Sequence, residues 1–487
     1  MSAPRIAFVT GKLAEPALRQ VVDELAKLGK VDPVVIVLNI QVAALMTADW
    51  LSRKLVLPES PDKPISRVII PGYCRGDLSL VSEKIGLTVE AGPRDLQDIP
   101  TLFGGKRRAV SPSDLQAYDI QILAEINHAP RLGLATILKM AEAYRADGAD
   151  VIDIGCDPQT DRPVWAEIGS TVAALVERGF VVSVDSFHPG EVEAALAAGA
   201  SIVLSVNSTN AKNAKNWRVK NDSNQRPQVV VIPDTPDDEE SLDKSIDTLL
   251  NDNVPLLIDP IIEPLGLGFS ESLLRYGRVR KRYPNLPIMM GIGNITEMTE
   301  ADSAGINTLL IGFCQEQNIT SVLTTQVINY ARSSVKEIDI ARRIMRYACN
   351  QKTPPKHIDG RLAITRQARL RSFTRSQLDA IKADLTDKNI RIFVERLEAQ
   401  GLSSDQITAV MHAMNKDFHV TGNDAFEMFD QMKIDDPSHA FYLGYELAKA
   451  TIAMQLGKNY TQDVALNWGF LTHEEISHHE RRKKEKR

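Results

Sequence analysis

The chain has 487 residues, too many for one ordinary hydrophobic core and enough for several domains. Apolar residues make up 43% and charged residues 25%, the balance of a globular chain rather than a disordered or fibrous one. The formal charge of −6 is mild for this length, so bulk electrostatics give no reason to expect a nucleic-acid partner.

The first part alternates. RIAFVTG, PVVIVLNI and RVIIPGY read as strands, with helical patterns EPALRQVVDELAKLG and QVAALMTADWLSRKL between them. That order predicts a small parallel α/β domain over residues 1–115. VEAGPRDLQDIPTLFGGKRR reads as a loop-rich exit from it.

From about Gln121 the alternation lengthens. Eight apolar runs follow: QILAEIN, VIDIGC, VVSVDS, SIVLSVN, QVVVIPD, PLLIDP, PIMMGIGN and NTLLIGF. Helical patterns such as ATILKMAEAYRADGAD and PGEVEAALAAGAS separate most of them. Short β-branched runs without polar alternation suit strands buried on both faces. Eight units over roughly 200 residues predict a (β/α)8 TIM barrel, residues 116–350. An open doubly wound sheet is the alternative, but no Gly-rich fingerprint follows the first strand. SVLTTQVINYARSSVKEIDIARRIMRYA is expected to close the barrel as one or two helices.

The pattern breaks at QKTPPKHIDG, which predicts a mixed α/β C-terminal domain over 351–487. It holds a helical pattern near Arg375–Ala383, a strand NIRIFVERL and a helix DPSHAFYLGYELAKATIAMQLG. The final HHERRKKEKR reads as a solvated basic tail.

No secretory signal is expected from the opening residues, and no run of about 18 apolar residues predicts a membrane span. Cys74, Cys156, Cys314 and Cys349 are far apart and form no CxxC pair, which suits a reducing cytoplasm.

The barrel strands carry amides and carboxylates at or near their ends: Asn127, Asp153 within the second strand with Asp157 just after it, Asp185, Asn207, Asp234, Asp259 and Asn294. C-terminal strand ends converge on one face of a barrel, where the active site is built. Helix capping explains any one of them. It explains less well why nearly all are carboxylates and amides. A metal site would prefer histidines or clustered carboxylates. A phosphate-only site would prefer a glycine nest and basic residues. Carboxylates and amides suit a neutral heterocycle rich in N–H donors, because one carboxylate accepts two parallel hydrogen bonds from an amino group and the ring N–H beside it.

AEINHAP, VIDIGCDPQTDRP, VVSVDSFHPGEVEAALAAGAS, VLSVN, LLIDP and GIGN, in that order, resemble the pterin-binding barrel of the dihydropteroate synthase family over residues 120–345. The resemblance implies that Asp185, Asn207 and Asp259 hold a pterin ring, with Asp153 helping to close the site. It places Asn127 near a pyrophosphate and its Mg²⁺, and implies the condensation of an aminobenzoate-type amine with a hydroxymethyl-dihydropterin diphosphate. Asp185 and Asp259 would then stabilise the cation left when pyrophosphate departs. Arg162 and Arg332, with Lys212 and Lys215, are the candidate cations for the diphosphate.

The sequence departs from that pattern in several places. Asp161 is inserted between Thr160 and Arg162, the synthases' seventh-strand lysine is replaced by Asn294, and their closing Arg-x-His is missing. Asn294 is instead similar to pterin-dependent methyltransferases of the same superfamily. Methyl transfer and non-catalytic pterin binding therefore stand as alternatives. The three-part layout resembles long dihydropteroate synthase-like proteins associated with tetrahydromethanopterin biosynthesis, which would make the amine a ribofuranosyl-aminobenzene phosphate. Small-molecule partners and a possible homo-oligomer are expected.

Overall fold

The computed structural model describes residues 3–58, 63–108, 110–158, 163–220, 225–365, 367, 370–371, 373–397 and 408–475. The chain forms two compact units, Met1–Asp359 and Gly360–Arg487.

The first unit opens with four parallel strands, β1 (Arg5–Thr10), β2 (Asp32–Val37), β3 (Arg67–Ile70) and β4 (Val89–Ala91), in the order β2-β1-β3-β4. Alternate residues of β1 enter different cores. Ile6 and Phe8 pack with Leu18, Val21 and Leu25, whereas Ala7 and Val9 pack with Leu51, Val68 and Val81. Burial on both faces is why these strands read as unbroken apolar runs. Two expectations need correction here. The segment read as a loop-rich exit supplies the edge strand β4, and helix in QVAALMTADWLSRKL is confined mainly to Ala48–Lys54. Thr47 caps that helix by accepting from the Trp50 N–H at 3.2 Å.

Eight further strands follow: β5 (Gln121–Ile126), β6 (Val151–Gly155), β7 (Val181–Asp185), β8 (Ile202–Val206), β9 (Gln228–Val231), β10 (Leu256–Ile258), β11 (Met289–Gly291) and β12 (Ser321–Thr324). All pair in parallel, in the order β10-β9-β8-β7-β6-β5-β12-β11. An Ile258–Ile288 bridge, with the Ile258 N–H donating to Pro287 O at 3.0 Å, joins the two outer strands and closes the barrel. Leu123, Val151, Ile202, Leu204, Val230, Leu257 and Met289, with Leu323, fill its interior. The (β/α)8 barrel expected from the eight-fold alternation is therefore present.

The eighth strand is not the one expected. NTLLIGF lies inside the helix Ser303–Glu316, and SVLT, assigned to a closing helix, is β12. In the helix Ser303, Asn307, Leu310, Ile311 and Cys314 are buried while Leu309 is 71% exposed, a 3.6-residue period. A seven-residue apolar window does not separate that period from a buried strand.

The face away from the strand C-termini is held by Arg342, from the helix Ser334–Gln351. It is 1% exposed and donates to Ile120 O (2.6 Å), Gly148 O (2.9 Å), Asp150 Oδ2 (2.5 Å) and Asp339 Oδ1 (2.8 Å). Its guanidinium also lies 3.5 Å from the Tyr118 ring centre. Burying one cation among so many acceptors ties the β5 and β6 entries to the last helix.

The second unit carries an antiparallel sheet, β13 (Arg391–Leu397), β14 (Thr408–Met414) and β15 (His419–Gly422), packed against the helices Ala425–Met432 and Pro437–Leu456. NIRIFVERL and the long helix fall where expected. The basic tail lies outside the described residues.

Candidate functional site

Strand period explains which groups line the barrel mouth. Leu123, Val151, Leu257 and Met289 point inward, so Glu125, Asp153, Asp259 and Gly291, two residues further on, point inward as well. Ser183 donates to Asp153 Oδ1 at 2.5 Å, which puts Ser183, and Asp185 two residues later, on the same inner face. Asp185 and Asp259, both expected in the site, therefore share the barrel interior.

Asp259 is the best anchored. Its Oδ1 accepts from the Tyr276 hydroxyl at 2.6 Å and from the Ile261 N–H at 2.8 Å. Its Oδ2 points towards Gly291, 3.7 Å from where a Cβ would stand, and the amide nitrogen of Asn294 is 3.9 Å from the same point. Desolvation pushes the Asp259 carboxyl up to about 6, against the opposing pull of Tyr276, Ile261 and Arg275. The turn below it is held open. Ile261 has φ +63, a strained value for a β-branched residue. Arg275, 2% exposed, donates to Pro260 O (2.8 Å), Ile261 O (2.6 Å) and Glu263 Oε2 (3.1 Å) and fixes that turn.

Asp153 is fully buried, and its Oδ2 has no hydrogen-bond partner. Burial, then the neighbouring Asp185 and Glu125 charges, raise its carboxyl well above the usual range. Asp185 is raised too, by desolvation, with the Ser205 hydroxyl opposing. Ser205 sits at φ +62 in an irregularity of β8, where the register shifts between Val203 and Val206.

The remaining expected residues are placed as follows. Asn207 follows β8, but its Oδ1 accepts from the Thr209 N–H (3.0 Å) and hydroxyl (2.6 Å), so one half of the amide is committed to its own turn. Asp234 grips Ser208 through its N–H (3.1 Å) and hydroxyl (2.6 Å). Asn294 does not end a strand. It lies in the short helix Gly293–Thr296 after β11 and donates to Ile262 O at 3.0 Å. His188 accepts from the Gly190 N–H as a helix cap. Asn127 follows β5. Beside it Asp157 accepts from Arg131 Nη2 (2.9 Å) and pairs with His128 Nδ1 (2.8 Å). Lys212 lies in the short helix after β8, and Lys212 and Lys215 are both exposed. Arg332 lies in the loop after β12 and is exposed. Arg162 and the inserted Asp161 lie outside the described residues.

Sequence reasoning missed Glu125 and Tyr276. Glu125 was legible as a carboxylate two residues before Asn127, on the same strand face. Tyr276 sits in a helix 17 residues after Asp259 and leaves no local signal.

Among the described residues no group of three or more His, Cys, Asp or Glu side chains is placed to hold a metal ion. Asn127 offers a single amide oxygen, with Asp157 already engaged by a cation. These residues do not fit a resident Mg²⁺.

Residues 128–249 match the family of pterin binding enzymes. Residues 4–94 match a family of unknown function, and residues 385–463 match a family designated PterinBD-DUF4346. An uncharacterized protein of Methanocaldococcus jannaschii is 27% identical over 95% of this chain and 99% of its own length. Among solved structures, the dihydropteroate synthase of Coxiella burnetii in complex with pteroic acid aligns at 18% identity and TM-score 0.38, covering 50% of this chain and 96% of that one. That of Xanthomonas albilineans in complex with 7,8-dihydropteroate aligns at 19% and TM-score 0.36, covering 49% and 95%. The barrel assignment stands on the strand pairing itself. The resemblance read from the barrel motifs is borne out by the pterin-binding match. The Methanocaldococcus relative, matched over 95% of this chain, is itself uncharacterized and leaves the tetrahydromethanopterin association as an expectation.

Proposed function

We propose that the barrel binds a pterin and acts as a pterin-dependent transferase of the dihydropteroate synthase type. The observation that carries the reading is the convergence of Asp153, Asp185 and Asp259 inside one barrel whose residues 128–249 match the pterin binding enzymes. In this reading Asp259 Oδ2 and Asp185 accept the N–H groups of the ring. Asn294 and the uncommitted half of Asn207 meet its mixed edges. Asp185 and Asp259 stabilise the positive charge that grows on the ring as pyrophosphate leaves the methylene carbon. An aromatic amine of aminobenzoate or ribofuranosyl-aminobenzene type then attacks that carbon and loses a proton, with Arg332 and Arg162 as candidates for the diphosphate. Such chemistry suits the cytoplasm. Among the described residues, no helix is long and apolar enough to cross a membrane.

A second reading, pterin-dependent methyl transfer, is favoured by one observation: carboxyl groups crowd the mouth, which opposes a diphosphate. The test of both is one assay. Pyrophosphate release from hydroxymethyl-dihydropterin diphosphate with either amine supports the synthase. Methyl exchange between a methylated reduced pterin and a corrinoid, without pyrophosphate release, supports the transferase alternative. Pterin binding with neither leaves a pterin-binding protein.

A further inference from the structure

The N-terminal sheet has a switch point of its own, outside the barrel. In the order β2-β1-β3-β4 the chain leaves β1 towards β2 on one side and leaves β3 towards β4 on the other. The helix after β1, Glu15–Lys27, packs on the face of Ile6 and Phe8, whereas the helix after β3, Ser79–Ile85, packs on the face of Ala7 and Val9. Adjacent strands whose exits depart to opposite faces leave a crevice at their C-terminal ends, where ligands of open α/β sheets bind.

The backbone pairing shows the same parting. β1 stays paired with β2 to Thr10–Val37, but with β3 only to Phe8–Ile69. Beyond β1 the Lys12 and Leu13 N–H groups donate to Ile40 O (2.9 Å) and Gln41 O (3.2 Å) of the β2 exit. Beyond β3 the chain leans the other way. The Gly92 N–H donates to Ile70 O at 2.8 Å, and a Cβ on Gly72 would clash with Gly92 O and Pro93. Each exit is thus drawn outward from the β1–β3 line.

Three cations stand on these exits: Lys12 after β1, Arg75 after β3 and Arg94 after β4. All are exposed, and none has an ion pair among the described residues. Their three neighbouring strands span only about 10 Å. The carboxylates nearest to them in the chain are committed: Glu15 to Arg19 (2.8 Å), Asp77 to the Ser79 N–H (3.0 Å) and Asp95 to Arg107 (2.6 Å). Lys27, Lys54 and Lys84 lie in the last turns of their helices, where a cation complements the helix dipole. Lys12, Arg75 and Arg94 stand at the opposite edge, where the dipole offers a cation nothing. Apolar surface lies on the same exits. Leu13 is 64% and Tyr73 50% exposed, and the Arg94 guanidinium is 5.4 Å from the Tyr73 ring centre.

We propose that this crevice is a second small-molecule site, separate from the barrel, for a phosphate ester carried on a flat ring, a ligand of the mononucleotide class. Lys12 and Arg75 hold the phosphate from the two sides of the β1–β3 parting, with Arg94 beside them, and the ring lies on the apolar surface of Leu13 and Tyr73. VTGKLAEP carries no Gly-rich fingerprint, so side chains rather than a glycine nest supply the charge.

The test is calorimetric titration of the full chain with AMP and with GMP, each against its uncharged nucleoside, with amide hydrogen exchange to locate the ligand. At least one nucleotide should bind about tenfold or more tightly than its nucleoside and should slow exchange in residues 10–14 and 71–75. Lys12→Gln combined with Arg75→Gln should abolish that preference and leave the unfolding midpoint unchanged, since both side chains are exposed. Arg94→Gln should weaken the same nucleotide and carries the test if the double variant does not fold. Failure of both nucleotides to bind, equal affinity for nucleotide and nucleoside, or exchange slowed only in the barrel would overturn the inference and leave the pterin reading untouched.

Discussion

The Tyr276 hydroxyl donates to Asp259 Oδ1 at 2.6 Å and leaves Oδ2 facing the barrel mouth. One oxygen holds the β10 turn and the other is left available, which would let a single carboxylate serve both that turn and the proposed ligand. Tyr276→Phe removes the donor without removing volume. We expect pterin affinity to fall about tenfold, because a hydrogen bond to a charged group is worth roughly 1.5–3 kcal/mol. Calorimetric titration of the variant checks this.

Asp259→Asn should separate stability from function. The folded-state carboxyl is raised to about 6 from 3.8, so between those values the folded chain binds more protons than the unfolded one. Stability from this group is full below about pH 4 and is lost as pH rises towards 6, a loss on the order of 3 kcal/mol. Asparagine keeps an oxygen for Tyr276 and Ile261 and carries no charge. The variant should be more stable than wild type at pH 8, with the gain fading towards pH 4, and should bind pterin poorly. Urea unfolding at several pH values measures it.

Arg342→Met tests the opposite end of the barrel. It removes the donors to four acceptors and leaves Asp150 and Asp339 without that cation. Breaking a buried pair by removing one partner costs about 3–5 kcal/mol. Denaturant unfolding should show a loss of that size.

The second unit should be acid-sensitive. His412 is fully buried between Glu395 (2.7 Å) and His419 (2.9 Å), and burial depresses both histidines below 6.5. Below that pH the unfolded chain takes up protons that the folded one refuses, so stability falls as pH drops through 6.5. His412→Gln should flatten that slope, as read from thermal unfolding between pH 5 and pH 8, a window of about the histidine range.

Much of this architecture was legible because buried parallel strands carry their signature locally. VVSVDS, VIDIGC and LLIDP are short apolar runs that each carry one carboxylate, and each formed a strand whose carboxylate, in it or just after it, faces inward. The eighth strand was missed because NTLLIGF and SVLT differ only in period, and seven residues are too few to show it. The N-terminal edge strand β4 was missed because three residues beside Gly-Pro read as a turn. Asp185 and Asp259 were legible as strand-end carboxylates, and both face the barrel interior. Tyr276, Arg275 and the Asn207 turn were not, since their roles depend on contacts made only after the barrel closes.

The central claim is that Asp185 and Asp259 grip one pterin ring from two walls of the barrel. The direct measurement is the affinity of 6-hydroxymethyl-7,8-dihydropterin for the wild-type chain, Asp185→Asn and Asp259→Asn. Each substitution should weaken binding about tenfold or more, while the folded spectrum is retained. Binding that is absent from the wild-type chain, or undiminished in both variants, would contradict it.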